Sequence, residues 1–280
     1  MTSAKTVLKT VLITGCSSGI GYATAVELKN RGHKVIASAR KDEDVTRLRQ
    51  EGFIAVQLDL ADSKSIQQAV TKALELADNK IDALFNNSGF GQPGAVEDLS
   101  REILRFQFET NVFGTQELTN LIIPCMRKQG HGRIIYNSSV LGLVAMTYRG
   151  AYIASKFALE GLADTLRLEL HGSNISVSLI EPGPILSKFR YNASVLYKKN
   201  IAVADSFHKD TYKAMEERLQ KEGAAVPFTL PAKAVADKVV HAVESTNPKI
   251  HYYVTFPTYL FAFLKRILPA SWLDNLLRRV

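Results

Sequence analysis

The sequence is poor in cysteine: Cys16 and Cys125 are the only two in 280 residues. Two thiols cannot build a disulfide framework, which excludes the stapled secreted scaffolds and makes a reducing compartment the expectation. Long hydrophobic runs are missing too. No stretch approaches the roughly 18 apolar residues that span a bilayer, and the opening MTSAKTVLKTVLITG lacks the apolar core of a secretory leader. The expected location is therefore cytoplasmic. The six histidines form no H-E-x-x-H or paired zinc pattern, so no metal is expected. His33 and His171 fall near helix ends and read as capping or surface residues. Neither SSG nor NSSV makes a G-x-S-x-G nucleophile elbow. The formal charge is +8, but the basic residues are dispersed, without an arm, a zinc-finger spacing or an aromatic RNA-binding signature. Nucleic acid is not an expected partner.

What is present is an ordinary globular balance, 46% hydrophobic and 22% charged. No repeat or low-complexity stretch divides the chain. One domain over 1–280 is expected, with a core at about 8–255, a substrate loop at about 184–230 and an apolar, basic extension at 256–280. Short β-rich runs alternate with helical patterns. TVLITG ends at Gly15, and IGYATAVELKNRG stops at Gly32, a residue suited to the position past a helix end. KVIASA, a helix near 43–51, FIAVQLDL, a helix from Ser63 to Asp78 and IDALFNN follow. Helical material at about 101–128, then GRIIYNSS, AYIASKFALEG and ISVSLIEPG continue the alternation. Near-continuous apolar strands between helices predict a parallel sheet of about seven strands covered on both faces, an α/β doubly wound Rossmann fold. Beyond Pro184 the pattern weakens: residues 185–230 read as irregular apart from a helical piece near 208–221. A helix over 231–246 and a last strand, KIHYYVTF, complete the core.

TGCSSGIG, Thr14 to Gly21, joins the first strand to the first helix. Its glycines let the backbone turn tightly and approach a ligand, and the helix start behind them offers free N–H groups to a pyrophosphate. The spacing Gly15, Gly19, Gly21 is not G-x-G-x-x-G. It resembles the T-G-x-x-x-G-x-G of the short-chain dehydrogenase/reductase family, in its compact single-domain branch. That resemblance implies a dinucleotide site made by Gly15, Ser17, Ser18, Gly19, Ile20 and Gly21, with Asp59 and Leu60 at the adenine. Asn87, Ser88 and Gly89 of NNSG stand at the adenine ribose, with Ser88 where Ala is usual. Pro182, Gly183, Ile185 and Ser187 of EPGPILS stand beside the nicotinamide. The second strand ends in Ala39, Arg40 and Lys41, without the acid that would hold a ribose 2′-hydroxyl. Arg40 would pair with a 2′-phosphate, so NADP(H) is the expected cofactor; a solvated charge pair opening the next helix is the rival reading. Some NADP-dependent relatives carry a basic residue before the middle glycine. Here that position is Ser18, so the preference rests on Arg40, helped by Ser17 and Lys41.

Tyr152 and Lys156 lie four residues apart and share a helix face. A free phenol, with a pKa of about 10, is ionised roughly one part in a thousand at neutral pH. A neighbouring ammonium is expected to lower that pKa and turn Tyr152 into a usable acid and base. Ser139 lies thirteen residues upstream, the family's spacing for its catalytic serine; on chemistry alone Ser138 competes. The resemblance implies that Ser139 holds the substrate oxygen, that Lys156 also binds the nicotinamide ribose, and that Asn111, in FETNVFG, supports a water serving the lysine. The implied activity is NADP(H)-dependent interconversion of a hydrophobic aldehyde or ketone and its alcohol, with reduction favoured. A non-catalytic NADP(H) sensor or scaffold is the alternative; it needs the loop motifs but not Asn111, Ser139, Tyr152 and Lys156 together. Cys16, inside the loop, reads as an unreactive small residue.

Substrate walls are expected from 141–148 and the segment after Pro184: Ser139, Leu141, Leu143, Tyr148, Tyr152, Leu186 and Phe189, with Val144, Met146 and Leu196 adding apolar surface. Among relatives the chain is similar to the group containing retinol and 17β-hydroxysteroid dehydrogenases and bacterial aldehyde reductases. The tail crowds Tyr259, Leu260, Phe261, Phe263, Leu264, Ile267 and Leu268 before Pro269, flanked by Lys265, Arg266, Arg278 and Arg279. A helix covering the cleft or an interface between copies is expected, with peripheral membrane contact through 256–280 as the rival. The family resemblance also implies a homodimer built through the helices that carry Asn111 and Tyr152.

Overall fold

A computed structural model describes residues 7–278; the first six residues of the opening stretch and Arg279 lie outside the described residues. The first half alternates as read: β1 (Thr10–Ile13), α1 (Gly19–Asn30), β2 (Lys34–Ala39), α2 (Asp42–Gln50), β3 (Ile54–Gln57), α3 (Ser63–Leu76) and β4 (Ala83–Asn86). Then come α4 (Arg101–Phe108), a π-turn (Glu109–Gly114), α5 (Thr115–Gln129), β5 (Gly132–Asn137), α6 (Gly150–Glu169) and β6 (Ile175–Glu181). The remainder is β7 (Ile185–Leu186), α7 (Phe189–Asn200), α8 (Lys209–Gln220), β8 (Leu230–Pro231), α9 (Lys233–Glu244), β9 (His251–Tyr253), α10 (Phe256–Ile267) and α11 (Ala270–Leu277).

Seven strands form a parallel sheet in the order β3-β2-β1-β4-β5-β6-β9. Alternate residues of each strand feed opposite faces. Leu12, Ile36, Leu84, Ile134 and Leu179 pack under α3, α5 and α6. Ile13, Ala37, Phe85, Ile135 and Ile180 pack under α1, α2 and α9. This two-sided burial is why the strands read as apolar runs rather than as alternating ones; each such Leu or Ile contributes about 1.5–3 kcal/mol. The chain starts in the middle of the sheet, winds out to β3 and returns to β4. The reversal opens a crevice between the carboxyl ends of β1 and β4, where ligands of such sheets bind.

Two expectations need correction. The segment after Pro184 is not irregular: FRYNASVLYKKN is α7, and β7 pairs with β8 through Ile185–Leu230 and Leu186–Pro231. Its helical pattern is masked because apolar and aromatic side chains occur on both sides of α7: Ala193 and Tyr197 go inward, while Tyr191 and Val195 stay exposed. The tail is two helices, broken at Pro269, which lacks the N–H that would continue α10.

Candidate active site

The loop after β1 is shaped by what cannot fit in it. Gly15 takes a positive φ of 71°, and a Cβ there would meet Ser88 Oγ at 2.8 Å. A Cβ on Gly21 would lie 2.3 Å from the Gly15 carbonyl oxygen, so α1 rests directly on the loop backbone. Ser18 precedes α1 in extended conformation and its side chain does not cap the helix. The first N–H groups of α1 are thus left without a side-chain partner, as an anion cradle requires. Thr14 ties the loop to NNSG: its hydroxyl accepts the Asn87 and Ser88 N–H groups, each at 2.8 Å. Asn87 Nδ2 donates to the Thr14 carbonyl at 2.8 Å, and Asn137 Nδ2 donates to Asn87 Oδ1 at 3.0 Å. Neither Thr14 nor Asn137 is given a role by the sequence, although Thr14 opens TGCSSGIG and Asn137 lies in GRIIYNSS. Arg40 is exposed at the end of β2, and Lys41 pairs with Glu43. Arg47, also unanticipated, reaches back from α2 to donate to the Ser17 carbonyl at 2.7 Å. Asp59 folds onto its own turn, Oδ1 accepting from the Ala61 N–H, and Leu60 is buried beneath the π-turn.

The four residues singled out for chemistry converge from three places. Tyr152, half-buried, and Lys156, buried, lie a turn apart on α6, with Lys156 Nζ 5.5 Å from the Tyr152 ring centre. Lys156 Nζ donates to the Asn137 carbonyl at 2.6 Å, which anchors α6 to the end of β5. Ser139 leaves β5 in extended backbone; its Oγ accepts the Leu141 N–H at 3.1 Å. Ser138 turns away and donates to Glu160, so the structure separates the two adjacent serines. Asn111 sits in the π-turn, where the α-helical ladder is interrupted. Its Nδ2 donates to the Phe90 carbonyl at 3.0 Å and to Ser155 Oγ at 3.1 Å, and its Oδ1 accepts the Phe90 N–H at 3.2 Å.

A model of the family described as short chain dehydrogenase matches residues 9–195. The chain belongs to the short-chain dehydrogenase family. It is 42% identical over 276 residues to the oxidoreductase YbbO of Escherichia coli (strain K12), covering 99% of this chain and 96% of that protein. It is 32% identical to human 17-beta-hydroxysteroid dehydrogenase type 1, covering 88% of this chain and 77% of that protein. A short chain dehydrogenase/reductase from Burkholderia phymatum, solved with NAD, superposes with a TM-score of 0.78 at 24% identity, covering 99% of this chain and 97% of that one.

For a short-chain dehydrogenase, this crevice fits a dinucleotide. The uncapped start of α1 suits its phosphates, and the buried Asn137 Oδ1 is without a partner in the protein. The electrostatics depart from expectation in one respect. Burial pushes the Tyr152 phenol up to about 12, with the Ser139 hydroxyl pulling the other way. Lys156 was expected to lower that phenol; instead burial brings its own ammonium down to about 8. Desolvation of both groups outweighs their mutual attraction. Glu160 of α6, buried Glu181 and His251 form a cluster, the two outer members half-buried, that the sequence did not announce. Burial and Glu181 push the Glu160 carboxyl up to about 7. Glu181 Oε1 meets His251 Nδ1 at 2.9 Å, and its Oε2 has no partner. Cys16 is fully buried, and burial pushes its thiol up to about 12, which suits an unreactive residue.

Most of the expected substrate walls meet around Tyr152. Val140, Leu141 and Val144 cluster with Met146 and Tyr152, and Phe261, Leu264, Leu273 and Leu277 of the tail close over them. Phe189 opens α7 with its ring 5.2 Å from that of Tyr152; Gly91 is bare beneath it, since a Cβ there would lie 2.8 Å from Phe189. Leu186 lies exposed before α7 and Leu143 is half-buried after Ser139. Tyr148 stands apart, edge-on to Tyr212 of α8 and to His208 just before it. Pro182 accepts the Val140 N–H at 2.8 Å, Gly183 abuts Thr255, and Ser187 Oγ accepts the Phe189 N–H. Ile20 at the start of α1 and Ile185 in β7 are half-buried. His33 is not a surface residue: it is buried, accepting the Lys9 N–H and facing Glu244 at 3.0 Å. An open groove of about 1000 Å³ bordered by Lys9, Arg133 and Ile250 lies at the amino ends of the strands and holds none of these groups.

Proposed function

We propose that the protein is an NADP(H)-dependent reductase of hydrophobic aldehydes or ketones, with Tyr152 as its general acid and base. The observation that carries this reading is the convergence of Ser139, Tyr152 and Lys156 on one wall of the crevice, with Asn111 bracing it from the π-turn. The nicotinamide, when bound, supplies or takes up the hydride, which no side chain can carry. At neutral pH the Tyr152 phenol holds its proton because burial raises it. It is therefore in the state that donates to a carbonyl oxygen, the role reduction requires of it. Ser139 Oγ accepts from Leu141, and its hydroxyl donates only a long 3.5 Å contact to the Pro182 carbonyl, which it can exchange for the same substrate oxygen, where negative charge develops. Lys156 is fixed by the Asn137 carbonyl and keeps further N–H groups for a cofactor ribose and the phenol. The Asn111 side chain is spent on Phe90 and Ser155, so a water serving Lys156 would hang from its main chain.

The NADP(H) preference is supported by exposed Arg40, the absence of an acid at the end of β2, and Arg47 beside Ser17. The apolar character of Leu141, Val144, Leu186 and Phe189 supports a hydrophobic substrate. We read residues 1–280 as one domain in a cytoplasmic homodimer. The exposed Phe106, Phe113, Leu121, Phe157 and Leu162 on the α4–α6 side supply the apolar face such a dimer needs. Among the described residues no helix is long and apolar enough to cross a membrane.

The test follows NADPH consumption with a panel of hydrophobic aldehydes and compares Tyr152→Phe. Removing the phenolic proton is expected to cost at least about 100-fold in turnover, with NADPH affinity unchanged by binding fluorescence. Retained turnover in Tyr152→Phe would remove the assigned acid; cofactor binding with no turnover of any carbonyl would favour a sensor.

A further inference from the structure

The tail is two-faced, and only one face is used. Phe261, Leu264, Leu273 and Leu277 pack on Val140, Leu141 and Val144. On α10, Phe256, Leu260, Phe263 and Ile267 recur at i, i+4, i+7 and i+11, which places them in one stripe on the other side. All four are exposed, Phe263 at 59% and Ile267 at 56%; on α11, Trp272 is 65% exposed. Scattered surface apolars need no explanation, but a contiguous stripe of this kind marks an interaction face. Phe228, exposed just before β8, lies against Phe256 with ring centres 5.0 Å apart and extends the stripe.

Two observations decide the occupant. Residues 256–280 hold four basic side chains and one acid, Asp274, against a chain total of +8. Exposed Arg266 on α10 and Arg278 beyond α11 accompany the apolar stripe, a pairing suited to anionic headgroups over acyl chains. Second, Lys265 lies 4.8 Å over the Phe157 ring of α6, on the helix side opposite the stripe. The stripe therefore points away from the α4–α6 patch that a second copy would cover. A twelve-residue helix is about 18 Å long, too short to span a bilayer but suited to lying in its interface.

We propose that α10 and α11 form a platform that docks on anionic membrane surfaces and feeds the cleft with substrate dissolved in the bilayer. The same helices touch lipid on one side and wall the Tyr152 cleft on the other, so an apolar carbonyl compound need not cross water. The feeding role rests on the reductase reading; the docking does not.

Vesicle flotation of the full chain separates the two. The full chain is expected to float with phosphatidylcholine vesicles carrying a minority of phosphatidylglycerol, and less with phosphatidylcholine alone or at high salt. Phe263→Asp/Ile267→Asp should lower bound protein about tenfold or more and equally lower turnover of a long-chain aldehyde embedded in vesicles. Turnover of a short, water-soluble aldehyde should be unchanged, which also reports that the variant is folded. Trp272→Asp, on the other helix, provides a second and milder break. A full chain that stays unbound with anionic vesicles overturns the proposal, as do variants that float like the parent. Variants that fall from dimer to monomer by light scattering without a change in flotation would assign the face to a second copy instead. Intact flotation with no carbonyl turned over would sink the reductase reading and leave the docking standing.

Discussion

The two sides of the crevice are held by different means. On the cofactor side the contacts are short hydrogen bonds, part-buried or buried and largely to backbone: Thr14 to Asn87 and Ser88, Asn137 to Asn87, Lys156 to Asn137. On the substrate side, Phe189 on Tyr152, Tyr148 on Tyr212 and Phe228 on Phe256 are ring contacts between segments far apart in sequence. Backbone-directed hydrogen bonds tolerate almost no displacement, whereas apolar contacts can slide and repack. Under the proposed function the first side would place one rigid ligand, and the second would accept a family of shapes. Substitutions on the cofactor side should therefore give all-or-none losses, and those on the substrate side graded ones.

The largest effect should come from Gly21→Ala. Its Cβ would meet both the Gly15 carbonyl oxygen and Asn87 Nδ2, and neither is a flexible chain end. Loss of NADPH binding by at least about 100-fold is expected, with a stability loss of about 1–3 kcal/mol by chemical denaturation. Normal binding would show that the loop yields, and the contrast between the two sides would fail. Next is Arg40→Ala. Removing one charge-assisted contact worth about 1.5–3 kcal/mol should weaken NADPH by about 10–150-fold and leave NADH unchanged. An equal loss for both cofactors would show that Arg40 does not read the 2′-phosphate.

The same contrast explains what could be read in advance. The cofactor side was legible because a strand, a loop and a helix start are contiguous in TGCSSGIG, and because Ser139, Tyr152 and Lys156 keep fixed spacings along adjoining elements. α7 was hidden because its two faces carry similar side chains. The Glu160–Glu181–His251 cluster was hidden because its members come from α6, β6 and β9 and meet only after the sheet forms. The direction of the Tyr152 shift was misjudged because spacing reports a neighbouring charge but not how much water both groups lose.

That cluster offers an intermediate effect, tied to pH. Glu160 is faced by Glu181 and His251, with Ser138 donating to it and Asp164 a turn along α6. Its folded pKa of about 7 lies above the ordinary 4.5, so the folded state binds its proton more tightly than the unfolded chain does. The stability this gives is complete below about 4.5 and is lost as pH rises through about 7. Glu160→Gln cannot lose a proton and should flatten the decline between pH 5 and 8 by about 2 kcal/mol. Denaturation midpoints with parallel slopes for parent and variant would show that burial does not hold the proton there.

The smallest effect tests the graded side directly. Phe189 covers Tyr152 edge to face at 5.2 Å and remains 38% exposed, so its packing is only partly realised in the free protein. Truncation in Phe189→Ala removes apolar area that a substrate chain would otherwise meet, worth about 1–2 kcal/mol at a half-buried site. KM for long-chain aldehydes should rise by about 5–30-fold, with kcat and NADPH affinity nearly unchanged. Short aldehydes, with little chain to bury against Phe189, should show a much smaller rise. Because the lost contact is made equally before and during reaction, it belongs in KM. A fall in kcat for short and long substrates alike would instead mean that Phe189 positions the Tyr152 phenol, and the substrate wall would be as exacting as the glycine loop.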